Sequence, residues 1–154
     1  MATYPKILKP WRGFPNMNGM HGIAIHIDQA PPAQDVYGQP GRGTVALALN
    51  KAYHIGTIPK GSILFPASGF VSTAFTATTT LKVGSQITSG VAQEDVLATA
   101  TIAPQTVGRK ENLAIGAKGA SPLTADLPVF IVAEVAAPLA GVMSLVIPFY
   151  IHRD

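Results

Sequence analysis

Apolar residues recur at every second position along much of this chain, the period of a strand with one buried face. In "HGIAIHID" the alternation sets His21, Ile23, Ile25 and Ile27 on one side. "TVALALNKAYHI" alternates Val45, Leu47, Leu49, Lys51 and Tyr53 against small or polar partners and reads as one strand. Residues 70–85, "FVSTAFTATTTLKVGS", place Val71, Thr73, Phe75, Ala77, Thr79, Leu81 and Val83 on one face and small hydroxylated residues on the other. Five of those sixteen residues are threonine, stiff at χ1 and suited to a pleated surface. The pattern predicts a single strand whose outward face, nearly free of charge, suits cover by a loop or a neighbouring subunit.

Punctuation supplies the rest. "IPKG" at 58–61 predicts a tight turn with Pro59 at a corner, "SILF" a short strand stopped by Pro66, and "GSQITSG" a loop. Residues 96–102 and 112–115 read as strands. "VGRKEN" between them, with Arg109, Lys110 and Glu111, has the composition of a turn. "QAPPAQDVYGQPGRG" and "GAKGASPLTAD" read as loops. The apolar run at 127–151 is long enough for a membrane helix, but Glu134, Pro138, Gly141 and Pro148 interrupt it, and its second half alternates. Two strands joined by a Pro-Gly turn account for it better. About eight strands with no helix predict an all-β chain, an antiparallel β-sandwich of jelly-roll-like type, with an immunoglobulin-like sandwich as the alternative. The domain division is an extended N-terminal arm at 1–18 and a β-sandwich domain at 19–154.

Composition sharpens this picture. Of 154 residues only 12% are charged, against about 25% in a typical soluble domain, while 47% are hydrophobic and mean hydropathy is +0.30. A single domain so poor in charge is expected to bury part of its outside in an assembly. The formal charge of +3 sits in the arm, which holds Lys6, Lys9 and Arg12 and no acid. From residue 13 onward the chain is balanced, so its high isoelectric point does not indicate a nucleic-acid-binding domain. The arm also carries the only tryptophan, Trp11, beside Phe14. Disordered tails seldom hold such residues, so the arm is expected to lie against its own domain or a neighbour. The start of the chain has no apolar signal-like core, so no secretory leader is expected.

Candidate chemistry is sparse. The chain has no cysteine, which excludes thiolate metal sites and cysteine nucleophiles. His21 and His26, five apart on a strand, point to opposite faces. His26 and Asp28 share a face and could build a metal site with His54 or His152, though no spacing demands it. Glu94-Asp95 fits a solvated loop, "GQPGRG" lacks the GK[ST] of a phosphate loop, and no G-x-S-x-G elbow is present. The expectation is a protein without catalytic activity, cofactor or metal.

The segments from His54 onward resemble small virion structural proteins of tailed bacteriophages. The likeness rests on Ile58, Pro59, Lys60 and Gly61; then Phe75, Thr80, Leu81, Val83 and Gly84; then Leu127, Pro128, Val129, Gly141, Val146, Pro148 and Tyr150 in a closing hairpin. The resemblance implies a capsid decoration or cement protein. Such a protein is made in the host cytoplasm and located on the virion's capsid exterior. It binds the major capsid protein and forms a homo-oligomer, dimer or trimer, with neither nucleic acid nor membrane as partner. A head-fibre, tail or receptor-binding sandwich is the alternative. Neither reading brings catalytic residues; a carbohydrate-type ligand module would need clustered aromatics, and a cupin-like enzyme a spaced metal motif. Lys6, Lys9, Trp11, Arg12 and Phe14 are the candidate partner-binding residues.

Overall fold

A computed structural model describes residues 19–29, 44–76, 78–85, 87–88, 91–92, 96–98 and 102–151. Eleven strands are present among them: β1 (Gly19–Asp28), β2 (Thr44–Val45), β3 (Ala52–Ile58), β4 (Ser62–Leu64), β5 (Ala67–Thr73), β6 (Thr80–Gly84), β7 (Ile87–Thr88), β8 (Val91–Ala92), β9 (Gly108–Leu113), β10 (Leu127–Glu134) and β11 (Val142–Ile151). The larger sheet runs β2-β1-β11-β5-β9, with β4 also pairing to β11; the smaller runs β3-β10-β6, and β7-β8 form a separate ribbon. All strand pairs are antiparallel except β1 with β2. No helix among the described residues is long and apolar enough to cross a membrane.

The two larger sheets face each other across one core. Ile23, Ile25 and Ile27 of β1, Val71 of β5 and Met143, Leu145, Ile147, Phe149 and Ile151 of β11 are buried in it. They share it with Ile55 and Ile58 of β3, Leu81 and Val83 of β6 and Val129, Ile131 and Ala133 of β10. The sandwich expected from the alternation is therefore present, with the expected side of β1 turned inward.

Several boundaries differ from the sequence reading. The threonine stretch is not one strand. β5 and β6 lie in different sheets, so the chain crosses between Thr73 and Thr80. The predicted parity survives the break, since Val71, Phe75, Thr79, Leu81 and Val83 are all buried, but Thr73 is exposed. The crossing explains the hydroxyls. Thr79 Oγ1 donates to the Ala136 carbonyl at 3.3 Å, Leu139 N donates to Thr76 Oγ1 at 3.0 Å, and Gln105 Nε2 donates to the Thr79 carbonyl. These bonds satisfy polar groups where no ladder continues. The predicted C-terminal hairpin is likewise absent: β10 and β11 belong to opposite sheets, and residues 135–141 form a second crossing beside the first.

"TVALALNKAYHI" also divides. β2 ends at Val45, Asn50 takes a left-handed φ of 56°, and β3 starts at Ala52 in the other sheet. "VGRKEN", read as a turn, contains most of β9, whereas Leu97 makes only isolated bridges to Val83 and Ile115. β9 is an edge strand, and edge strands carry charge to discourage further pairing; that is why its composition imitates a turn. β7 and β8 lie in the segment around "GSQITSG", and a single 3-10 turn, Ala117–Gly119, interrupts the loop that follows β9. At 59–62 Pro59 begins the turn instead of occupying a corner. Its carbonyl accepts from Ser62 N at 3.2 Å, and Gly61 supplies the positive φ of 81° at the third position.

Candidate interaction surfaces

Lys6, Lys9, Trp11, Arg12 and Phe14, and His152 with them, lie outside the described residues. The described histidines are held apart. His21 stacks on Phe149 with ring centroids 5.8 Å apart, and His54 packs on Phe130 and meets Thr57 Oγ1 at 3.2 Å. His26 points to the other side of β1 from His21, and its Nδ1 lies 2.9 Å from Ser144 Oγ across the β1–β11 pair. No group of three or more His, Asp or Glu able to hold a metal occurs among the described residues.

The Ser144–His26 pair has the residue types of a nucleophile and its base. It stands on the open face of regular strands, where backbone N–H groups lie in the sheet plane. It acts as a cross-strand hydrogen bond.

What the described surface does present is apolar. Eight large hydrophobic side chains are exposed, and they fall into two patches. The first is the outward face of the larger sheet. Strand register sets Met20 beside Tyr150 and Ile63, Ala24 beside Val146 and Ser68, and His26 beside Ser144, Phe70 and Arg109. Phe65, whose N–H donates to the Pro148 carbonyl at 3.0 Å, continues it. Met20 is 60% exposed, Phe70 50%, Phe65 39% and Val146 37%. A shallow groove of about 370 Å³ runs along Ser68, Gly69, Phe70, Arg109, Ser144 and Val146.

The second patch is the end of the sandwich where the two crossings meet. Leu139 is 81% exposed and Val135 74%, and Leu49 and Val107 lie on flanking segments. Leu49 is bridged to Ala133, and Val107 precedes Gly108, which pairs with Val71. Gln29 fastens this end: its side chain accepts from Leu47 N at 2.6 Å and donates to the carbonyls of Leu47 and Pro138, each at 2.9 Å. Val135 has a φ of 70°. A β-branched residue in the left-handed region is strained, by about 1–2 kcal/mol. Val135→Asn removes that strain and exposes nothing new, so unfolding should shift upward by about 1 kcal/mol, or a few degrees in a thermal melt. An unchanged or lower melting point would show that the valine side chain contributes packing that its exposure does not suggest.

Neither patch contains a run of cations, and the charges around them are paired or few. Arg109 Nε meets Glu111 Oε1 at 2.8 Å, and Lys82 Nζ meets Glu134 Oε2 at 2.8 Å on the smaller sheet. Sequence reasoning missed both patches. The signal was available in β11, where Val146 stands between Leu145 and Ile147 and makes the strand apolar on both faces.

No protein-family model and no curated protein sequence matches the chain. Solved structures do. Chains in the cyanophage Pam1 capsid asymmetric unit and in the acid-stable capsid of Helicobacter pylori bacteriophage KHP30 align with TM-scores of 0.47 and 0.45. Their identities are 16% and 12%, over 88% and 87% of this chain and 86% and 90% of theirs. A chain in the capsid of Ralstonia phage GP4 aligns over 92% of this chain and 90% of its own, at 15% identity and a TM-score of 0.52. This all-β sandwich is thus similar in fold to a chain of that phage capsid.

Proposed function

We propose that this chain is a virion structural protein that decorates the outside of a bacteriophage head and stabilises it. The observation that carries the reading is the fold likeness to a chain of the Ralstonia phage GP4 capsid, which takes in nine-tenths of both chains. Fold by itself does not dictate function, so the surface must also suit the role. Two exposed apolar patches with little charge suit a protein that makes more than one permanent contact. The balance of charge beyond the arm gives no footprint for nucleic acid, which favours the capsid exterior over the packaged genome. In this reading the partners are the major capsid protein and further copies of the chain, no catalysis or cofactor is involved, and the protein is made in the host cytoplasm before it joins the head. The arm, with Lys6, Lys9, Trp11, Arg12 and Phe14, is its docking element.

The test is imaging of purified particles made with and without the protein, followed by adding it back. Density should appear on the outer head surface only when the protein is present, and bare heads should rupture at lower temperature. Density confined to a tail or fibre would sink the decoration reading in favour of the fibre or tail alternative.

A further inference from the structure

We propose that the outward face of the larger sheet is where a second copy of this chain docks, sheet against sheet. This assignment extends the virion reading, but its test needs no particle. A monomer in solution would overturn the face assignment, and particle binding would still be decided by imaging.

Three observations carry it. The first is size. Four strands, β1 and β11 of ten residues, β5 of seven and β9 of six, at about 4.8 Å spacing and about 3.3 Å per residue, give a face of roughly 500 Å² before side-chain relief is counted. That is below the roughly 800 Å² per partner of a standard stable interface, and Ile63, Phe65 and the relief of the side chains add to it. The second is relief. Gly22, Ala24, Ser68 and Ser144 are small and leave the face low around them, while Met20, Phe65, Phe70 and, between Ala24 and Ser68, Val146 stand above them. Small residues let two sheets come to the usual separation of about 10 Å, and the larger ones fill the space between.

The third is charge. The ionic groups along this face are His26, Asp28 and the Arg109–Glu111 pair, which sum close to zero. A face of this kind meets its own copy without opposing like charges, and it offers nothing to a strongly charged partner. The outer edge on the β9 side is closed to strand addition by Arg109, Lys110 and Glu111, so the apolar area is reached through the face. An isologous contact of this sort closes as a dimer.

Sedimentation of the full-length chain at micromolar concentration should show a dimer or a larger species. Val146→Arg puts a cation at the centre of the face, where the folded chain tolerates it because Val146 is partly exposed. It should raise the dissociation constant on the order of a hundredfold or more and leave far-UV circular dichroism native. Leu139→Arg, in the other patch, should keep the wild-type size. Because the chain has no cysteine, Ser144→Cys gives a single thiol on the face, and a bifunctional maleimide with a spacer of about 10 Å should link it into a dimer, since sheets about 10 Å apart hold the two Cα atoms too far apart for a disulfide. A wild-type monomer, or a Val146→Arg protein of wild-type size, would overturn the assignment. So would a monomer whose Ser144→Cys thiol is protected, which would mean that the chain covers its own face. A monomer whose thiol reacts freely would also overturn it, since the face would then await a different protein.

Discussion

Gly141→Ala should come close to unfolding this protein. Gly141 has a φ of 137°, a region that is essentially closed to residues with a side chain. A Cβ placed there would stand 2.5 Å from two ring carbons of Phe75. That ring is only 3% exposed and cannot swing away without opening the core. The backbone cannot retreat easily either: the Gly141 carbonyl accepts from Gln29 N at 2.9 Å, and β11 begins at the next residue. Strain and overpacking together should cost about 4 kcal/mol, in a domain whose whole stability is expected to be about 5–15 kcal/mol. The thermal midpoint should fall by roughly 10 °C or more. Phe75→Leu in the same chain should recover the part that comes from the clash and not the part that comes from φ. The two changes together should therefore cost less than the sum of each alone. A loss under about 1 kcal/mol for Gly141→Ala would mean that the crossing at 135–141 rearranges freely.

The same glycine shows how far the sequence could be read. Gly141 and Pro138 marked a break in the C-terminal apolar run, and the break is there. They did not say whether the chain turns back within one sheet or crosses to the other, since a turn signal specifies local φ and ψ and not which partner a strand will find. The threonine stretch makes the same point from the other side. Alternation correctly identified Val71, Phe75, Thr79, Leu81 and Val83 as inward-facing. Yet parity is preserved through the crossing between Thr73 and Thr80, so the pattern could not show that β5 and β6 lie in different sheets. β9 was hidden because an edge strand and a turn both favour charge. Of the candidate surfaces, the low charge was legible in composition. The apolar face around Met20, Phe70 and Val146 was not, because assembling it needs the order β1-β11-β5, which joins residues more than a hundred positions apart.

If the arm docks this chain on phage heads as proposed, removing residues 1–18 should leave a folded sandwich that binds heads on the order of a hundredfold more weakly, or worse. The body should survive because β1 begins at Gly19 and its core residues, Ile23, Ile25 and Ile27, all lie beyond the cut. The loss follows from what the arm contains. It holds the whole +3 of net charge in Lys6, Lys9 and Arg12, and it holds Trp11 and Phe14 among them. Extended, eighteen residues reach up to about 60 Å, enough to cross onto a neighbouring subunit. Against an acidic capsid exterior the cations would steer the encounter, and the aromatics would then be desolvated as anchors. These roles separate kinetically. Trp11→Ala should speed dissociation, with about thirtyfold lost in affinity for a buried anchor near 2 kcal/mol. Lys6→Ala with Lys9→Ala should mainly slow association, and should flatten its dependence on salt, because screening at physiological ionic strength acts over about 8 Å. Surface plasmon resonance on immobilised heads, run at several salt concentrations, reads both effects. If the truncated protein decorates heads as tightly as the full chain, the arm is not the anchor. The capsid contact would then lie on the sandwich, with the exposed Leu139 and Val135 end as the next surface to test.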